Sequence, residues 1–225
     1  MSVWRYLDLA KLISLLDSKK MYFTRMDKFD DPFEGVVPNG ITQMLLERAM
    51  DSGVGPGYYL ACHKEMSQDF RMYTYVNCWH ESAIESEAMW SLYTDKQKGI
   101  AVVSTREKLT SQLPDFVDIR NVEYIDFDAS DIKIMPPCFY KRSAFEYEKE
   151  LRAVITDENA ESSGVHVDIE PNQLINKVVV SPLAEPWFID VVKSVCAKYG
   201  SAFDVEKSSL SIKPRYAFEE YGNIL

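Results

Sequence analysis

The chain has 225 residues, of which 46% are hydrophobic and 12% aromatic, so it can bury a substantial core. Its formal net charge of -10 argues against a broad basic surface for nucleic acid, although a local groove around Lys133, Lys141 and Arg142 stays open. No apolar run reaches the ~20 residues of a membrane span, and the first residues lack the apolar segment of a signal peptide. These features predict a single globular domain over residues 1–225 in the cytoplasm, with no membrane partner.

The beginning of the chain predicts a strand, a helix and a second strand. Residues 4–7 are short and aromatic, and Asp8 can cap a helix over residues 9–16 through the free N–H groups of its first turn. Residues 21–24 favour a strand. Residues 30–32, Asp-Asp-Pro, predict a turn, because Asx side chains bond nearby backbone and Pro fixes its own φ.

The middle and end of the chain continue without regular alternation. The expected strands are 73–79, 100–103, 122–125, 165–169 and 175–182, with edge strands at 203–205 and 209–212. The expected helices are 41–50, 85–93 and 185–199, and residues 51–57 are a flexible break. This order predicts an α+β fold with a mixed, largely antiparallel sheet and flanking helices.

The four cysteines are most simply reduced core thiols, since the chain shows no export signal. Cys62-His63 and Cys78-Trp79-His80 could together offer four ligands to zinc. Paired zinc ligands are usually separated by two to four residues, and neither pair has that spacing. The sequence therefore predicts no metal site.

Residues 145–155 carry alternating charges. In a strand, Glu146, Glu148, Glu150 and Arg152 share one face, while Tyr147, Leu151, Ala153 and Ile155 share a core face. In a helix, the same glutamates form a solvated face. Because crowded carboxylates repel one another, a buried row favours a cationic ligand, such as a nicotinamide ring or an oxocarbenium-like transition state.

Several motifs taken together resemble the bacterial "domain of unknown function" family 2971. They occur in the family's order and span nearly the whole chain: Trp4-Arg5-Tyr6, Tyr22-Phe23-Thr24, residues 29–34, residues 78–81, residues 89–93 with Lys98-Gly99, and residues 147–152. The family is largely uncharacterised, so this resemblance implies little about activity.

The order of parts is also similar to that of ADP-ribosyltransferases, which have a split sheet. The resemblance implies that Glu150 stabilises the ribose cation, that Glu148 orients or deprotonates the acceptor, and that Arg5 pairs with the diphosphate of NAD. Where the arginine-modifying class has Ser-Thr-Ser on the second strand, this chain has Tyr22-Phe23-Thr24. Residues on the NAD side would be Arg5, Tyr6, Tyr22, Thr24, Trp90 and Tyr93, with Tyr22 or Tyr93 stacking on nicotinamide.

The resulting expectation is an NAD-dependent ADP-ribosyltransferase or NAD glycohydrolase, used as a toxin or phage-defence effector on an unidentified acceptor macromolecule and held in check by a cognate inhibitor. One alternative is a non-catalytic interaction module with an acidic face, in which Glu148 and Glu150 lie in water. A third is a metal-dependent hydrolase or nuclease that uses Asp31, Glu34, Glu148 and Glu150. The alternatives separate on whether Arg5 and Glu150 converge on one cleft.

Overall fold

The computed structural model describes residues 1–53, 55–130, 132–159 and 161–212, apart from the side chains of residues 62, 63, 65 and 66. Within these residues, nine strands form an open, largely antiparallel mixed sheet with helices beside it, so the predicted α+β class is confirmed. No helix of the described part of the chain is long and apolar enough to cross a bilayer.

The large sheet contains all strands except β6 and β7, which pair with each other. The strands are β1 (Ser2–Leu7), β2 (Lys20–Arg25), β3 (Thr74–Glu81), β4 (Ile100–Thr105), β5 (Asp118–Asn121), β6 (Glu123–Ile125), β7 (Tyr140–Arg142), β8 (Glu150–Thr156), β9 (Gly164–Asp168), β10 (Lys177–Val180) and β11 (Asp204–Lys207). The helices are α1 (Leu9–Ser18), α2 (Asn39–Asp51), α3 (Pro56–Met72), α4 (Glu87–Tyr93), α5 (Arg106–Gln112), α6 (Pro171–Leu174) and α7 (Pro186–Lys198).

The sheet divides beside its central strand, β3. Along one edge β3 pairs with β8 from Thr74 to His80. Along its other edge, the C-terminal end of β3 pairs with β1 and the N-terminal end pairs with β2. In the described sheet β1 and β2 are not paired with each other, so one limb continues through β4, β10 and β11 and the other through β9. A gap between β1 and β2 is the consequence.

The sheet has a packed core on each face, as the alternation of side chains along β3 shows. Tyr75 and Trp79 belong to the main core, whereas Val76 lies in a second cluster with Phe139 and Val154 on the opposite face. The main core includes α1 and α7 through buried Leu12 and Val192 among others, so these helices cover that face.

The opening of the chain folds as its sequence predicts. Asp8 caps α1, because its carboxylate accepts the backbone N–H of Lys11 at 2.8 Å. The helix ends at Lys19, which has a left-handed φ of 53° and turns the chain into β2. The predicted turn at residues 30–32 is also present, with the Asp31 carboxylate accepting the N–H of Phe33 at 3.1 Å.

Four local predictions need correction. Residues 145–155 are neither a continuous strand nor a helix: a 3-10 helix covers Ser143–Glu148, Lys149 reverses the chain with a φ of 42°, and β8 begins at Glu150. Tyr147, expected in the core, is 40% exposed. Residues 209–212 start with a 3-10 helix instead of a strand, and part of the predicted break enters α3 because Pro56 suits the first turn of a helix.

Candidate active site

A cavity of about 810 Å³ lies where the sheet divides. Each strand that meets at the split, and the turn before β8, contributes to its wall: Arg5, Thr24, Cys78, His80, Glu148 and Glu150. The register explains this convergence, since Trp4 lies opposite His80 and His80 lies opposite Glu150 on three neighbouring strands. Arg5 lines the same cavity, so Arg5 and Glu150 reach one cleft, although the register alone accounts only for Glu150 and His80.

Arg5 reaches this cavity because the sheet is split. Along β1 it alternates with Trp4 and Tyr6, so its side chain starts on the face opposite to theirs. Its Nη2 donates to the carbonyl oxygen of Tyr22 at 3.4 Å, across the gap to β2, and its guanidinium lies 6.0 Å from the centre of the Trp79 ring. In an unbroken sheet, the neighbouring strand would fill this space.

The charge of Arg5 is not neutralised by a neighbouring acid. Among the described residues, no carboxylate lies within 4.0 Å of its guanidinium, although the side chain is half-buried. Burial lowers the pKa of Arg5 to about 10, so the group is still cationic at neutral pH. A half-buried cation of this kind favours an anionic ligand.

Five charged side chains form a buried ion cluster at the cavity: Glu34, Lys141, Glu148, Glu150 and Arg152. Arg152 is fully buried and binds Glu150 with both arms of its guanidinium, at 2.9 and 3.1 Å. Its Nη2 also lies 2.7 Å from Glu34 Oε2, an ion pair without a hydrogen bond, and its Nη1 donates to the Cys138 carbonyl at 2.6 Å.

Lys141 completes the ion cluster. Its Nζ lies 3.3 Å from Glu34 Oε1 and 3.1 Å from Glu150 Oε2, and it also donates to Glu148. Burial alone would lower the pKa of Lys141, but the three carboxylates outweigh burial and raise it. With every group ionised, three negative and two positive charges leave one excess negative charge in the ion cluster.

The two predicted catalytic glutamates differ in their electrostatic environment. Burial would raise the pKa of Glu150, yet Arg152 and Lys141 hold it at about 2, so this carboxylate stays ionised. For Glu148, burial prevails over Lys141 and over the Tyr93 hydroxyl, and its pKa is raised. Glu148 is therefore the carboxyl of this pair that takes up a proton more readily.

Three of the residues expected on the NAD side line the cavity besides Arg5: Tyr6, Thr24 and Tyr93. The Tyr93 hydroxyl donates to Glu148 Oε1 at 2.5 Å, and burial together with this bond raises the pKa of Tyr93. Tyr6 accepts the N–H of Ser86 at 3.0 Å, and burial raises its pKa to about 12.

Two other expected contacts are not brought to the cavity. The Tyr22 side chain packs against His166 of β9 at 5.1 Å, so only its backbone carbonyl serves the site. Trp90 is 3% exposed and lies edge-on behind Tyr6, and its Nε1 donates to Glu85 at 2.9 Å. Stacking of nicotinamide on Tyr22 does not fit this placement, and Trp90 supports the wall without forming it.

The site also contains residues that the sequence did not assign to it in these roles, namely Glu34, Lys141, Arg152 and His80. Glu34 follows the predicted turn and Lys141 precedes the charged stretch, but only the fold brings these two positions together. The strand pattern predicts Arg152 on the same face as Glu150, and this is confirmed: Glu150 is the first residue of β8, Arg152 is the third, and the two side chains form an ion pair. The i, i+2 spacing of Glu150 and Arg152 in a strand is the sequence pattern from which this ion pair could be predicted.

The alternative functions fit this geometry less well. The interaction module requires Glu148 and Glu150 in water, whereas each is 4% exposed. A metal site requires free carboxylates, but Lys141 and Arg152 already occupy the space between them, and Asp31 pairs with Arg142 at 2.9 Å. Within the described residues, no group of three or more acidic, His or Cys side chains is arranged to hold a metal ion.

The cysteine prediction can be followed at three of the four positions. Cys78, Cys138 and Cys196 are free thiols; Cys138 and Cys196 are buried, and Cys78 is half-buried at the cavity. Burial raises the pKa of the Cys78 thiol well above its usual value. The side chains of Cys62 and His63, which the zinc alternative would need, lie outside the described residues.

No protein-family model, no curated protein sequence and no solved structure matches the chain. The site is therefore interpreted from its own geometry and charges.

Proposed function

We propose that the cavity binds NAD and that the protein breaks the bond between nicotinamide and ribose, as an ADP-ribosyltransferase or an NAD glycohydrolase. The observation that carries the proposal is the convergence of Arg5, which lacks a carboxylate partner among the described residues, and of Glu148 and Glu150 on one cavity. Its volume of about 810 Å³ lies within the roughly 300–1,000 Å³ of small-molecule and cofactor sites.

The distribution of charge supports a ligand with both signs of charge. The diphosphate of NAD would lie against Arg5, whose planar guanidinium suits bidentate contacts with phosphate oxygens. Lys11 and Lys28 also line the cavity, but each has a carboxylate partner, Asp8 at 3.3 Å and Asp27 at 3.2 Å. The cationic nicotinamide ribose would lie towards the ion cluster with its excess negative charge.

The chemistry asked of the site is stabilisation of positive charge on the ribose as the bond breaks. Glu150 stays ionised and is held rigidly by Arg152, so its charge needs no reorganisation during the reaction. Glu148, fixed by the Tyr93 hydroxyl, would orient a ribose hydroxyl or the acceptor. Lys141 forms ion pairs with both glutamates and so fixes their relative positions.

The test is release of nicotinamide from NAD, followed by chromatography, in the wild type and in Glu148→Gln and Glu150→Gln. Each substitution removes a charge that acts on the transition state, so we expect release to fall by roughly 10²–10³. Glu146→Gln is the matched control, because Glu146 is exposed and lies in the same 3-10 helix as Glu148. This variant should keep the wild-type rate. Absence of both NAD binding and nicotinamide release in the wild type would remove the proposal.

A further inference from the structure

His80 lies on β3, between Trp4 of β1 and Glu150 of β8, and it is 4% exposed. Its Nδ1 is 2.5 Å from the backbone carbonyl oxygen of Glu148. Because a carbonyl oxygen can only accept a hydrogen bond, Nδ1 must carry the proton. In the neutral ring, Nε2 then holds an unprotonated lone pair.

This lone pair is available to a molecule in the cavity. No hydrogen bond joins Nε2 to any other described residue, and the Tyr6 ring lies edge-on to the imidazole at 6.2 Å between ring centres. His80 lines the cavity, and burial lowers its pKa, so the ring is neutral at pH 7. A neutral imidazole with a free Nε2 is a suitable general base.

The carboxylates beside His80 already accept hydrogen bonds from neighbouring side chains. Glu148 accepts the Tyr93 hydroxyl on one oxygen and Lys141 on the other. Both oxygens of Glu150 accept from Arg152, and one also accepts from Lys141. Charges held in this way suit electrostatic stabilisation, whereas the Nε2 lone pair of His80 has no donor among the described residues.

We propose that His80 Nε2 accepts the proton of a water molecule that attacks the ribose, so that the reaction in this cavity is hydrolysis of NAD. The inference rests on the proposed function and narrows it to a glycohydrolase. The bond from C1′ of the ribose to nicotinamide breaks with its electron pair going to the nicotinamide nitrogen. The water oxygen bonds to C1′, and its proton moves to Nε2 and then to solvent. His80 is 4% exposed, so water reaches its Nε2 more easily than a side chain of a macromolecular acceptor does.

The experiment uses His80→Asn, since the Asn amide can still donate to the Glu148 carbonyl in place of Nδ1 but offers no group in place of Nε2. We expect nicotinamide release in water to fall by about 10²–10⁴ while the Kd for NAD stays within about threefold. Sodium azide is already deprotonated and needs no base, so it should restore release in the variant and give an azide adduct of ADP-ribose by mass spectrometry. His166→Asn, an exposed histidine of β9, is the control and should match the wild type.

The possible outcomes distinguish failure of the proposed NAD cleavage from failure of the proposed role of His80. A wild type that releases no nicotinamide overturns the proposed function and this inference together. A wild type that releases nicotinamide, with a folded His80→Asn that does so equally fast or is not rescued by azide, overturns only the role of His80. Nitrogen-15 NMR of the wild-type histidines provides a measurement that needs no variant: a proton on Nδ1 and none on Nε2 at pH 7 is expected, and the reverse tautomer would overturn the role.

Discussion

Arg152→Met tests whether the ion cluster holds the site together. Arg152 is fully buried and compensates Glu150 and Glu34 at 2.7–3.1 Å. Methionine fills a similar volume but leaves both carboxylates without this cation and the Cys138 carbonyl without its donor. Removing one partner of a buried ion pair costs about 3–5 kcal/mol, because the remaining charge is left uncompensated.

The matched control is Arg120→Met. Arg120 lies directly opposite Arg152 on β5, but its side chain is 48% exposed and pairs with Asp118 at 2.7 Å. An exposed pair contributes less than about 1 kcal/mol, so this variant should stay near the wild type. In urea denaturation, Arg152→Met should lose about 3–5 kcal/mol, and its thermal midpoint should fall by roughly 6–20 °C, at about 2–4 °C per kcal/mol for a chain of this size.

A comparison of Arg152→Met in the wild type and in Glu150→Gln tests whether the two side chains stabilise each other. In Glu150→Gln, one of the charges that Arg152 compensates is absent, so the additional cost of Arg152→Met should be smaller than in the wild type. The reasoning is refuted if Arg152→Met and Arg120→Met unfold at the same urea concentration. It is also refuted if the loss is equal in both backgrounds.

Three further predictions concern stability. The pKa of Glu150 is about 2 in the folded protein against 4.5 for the free group, so its ionisation stabilises the fold by an amount on the order of 3 kcal/mol. This stabilisation is present above pH 4.5 and is lost as the pH falls towards 2. The urea midpoint of the wild type should therefore fall with pH in this range, and that of Glu150→Gln should fall less. Asp8→Ala removes the cap on the Lys11 N–H and should cost about 1 kcal/mol by urea denaturation, whereas Asp8→Asn should cost less. Gly35→Ala places a Cβ 2.5 Å from Met26 Sδ at a φ of +76°, so it should lower the unfolding free energy by at least about 1 kcal/mol, and an unchanged midpoint would contradict the strain.

Local patterns predicted the elements that depend on local physics. The β1, α1 and β2 succession follows from an aromatic run, an Asp cap and a second strand-forming run, and the structure has all three. The strand at residues 73–79 was equally recognisable and became β3. In each of these segments the hydrophobic pattern fits one type of secondary structure and a local residue marks its end, so no distant contact is needed to define it.

The site depends on contacts that no local pattern contains. Alternation predicts Glu148 and Glu150 on one strand face, but the left-handed Lys149 separates a 3-10 helix from β8. Lys141 bridges the two acids. Glu34 joins them from far earlier in the chain. Arg5 would lie on the other face of an unbroken sheet, and whether a sheet is split depends on which strands pair with β3. The sequence allowed the convergence of Arg5 and Glu150 to be named as the deciding observation. The convergence itself needs both the register of β1, β3 and β8 and the gap between β1 and β2.

The most direct test of the central claim is calorimetric titration of NAD into the wild type, Arg5→Gln and Arg120→Gln. If Arg5 binds the diphosphate, the wild type should bind NAD, and Arg5→Gln should bind roughly 10–100-fold more weakly, since a hydrogen bond to a charged group is worth about 1.5–3 kcal/mol. Arg120→Gln, which removes an exposed arginine outside the cavity, should bind like the wild type. No heat of binding from the wild type, or equal affinity in Arg5→Gln, would contradict a dinucleotide site at the split of the sheet.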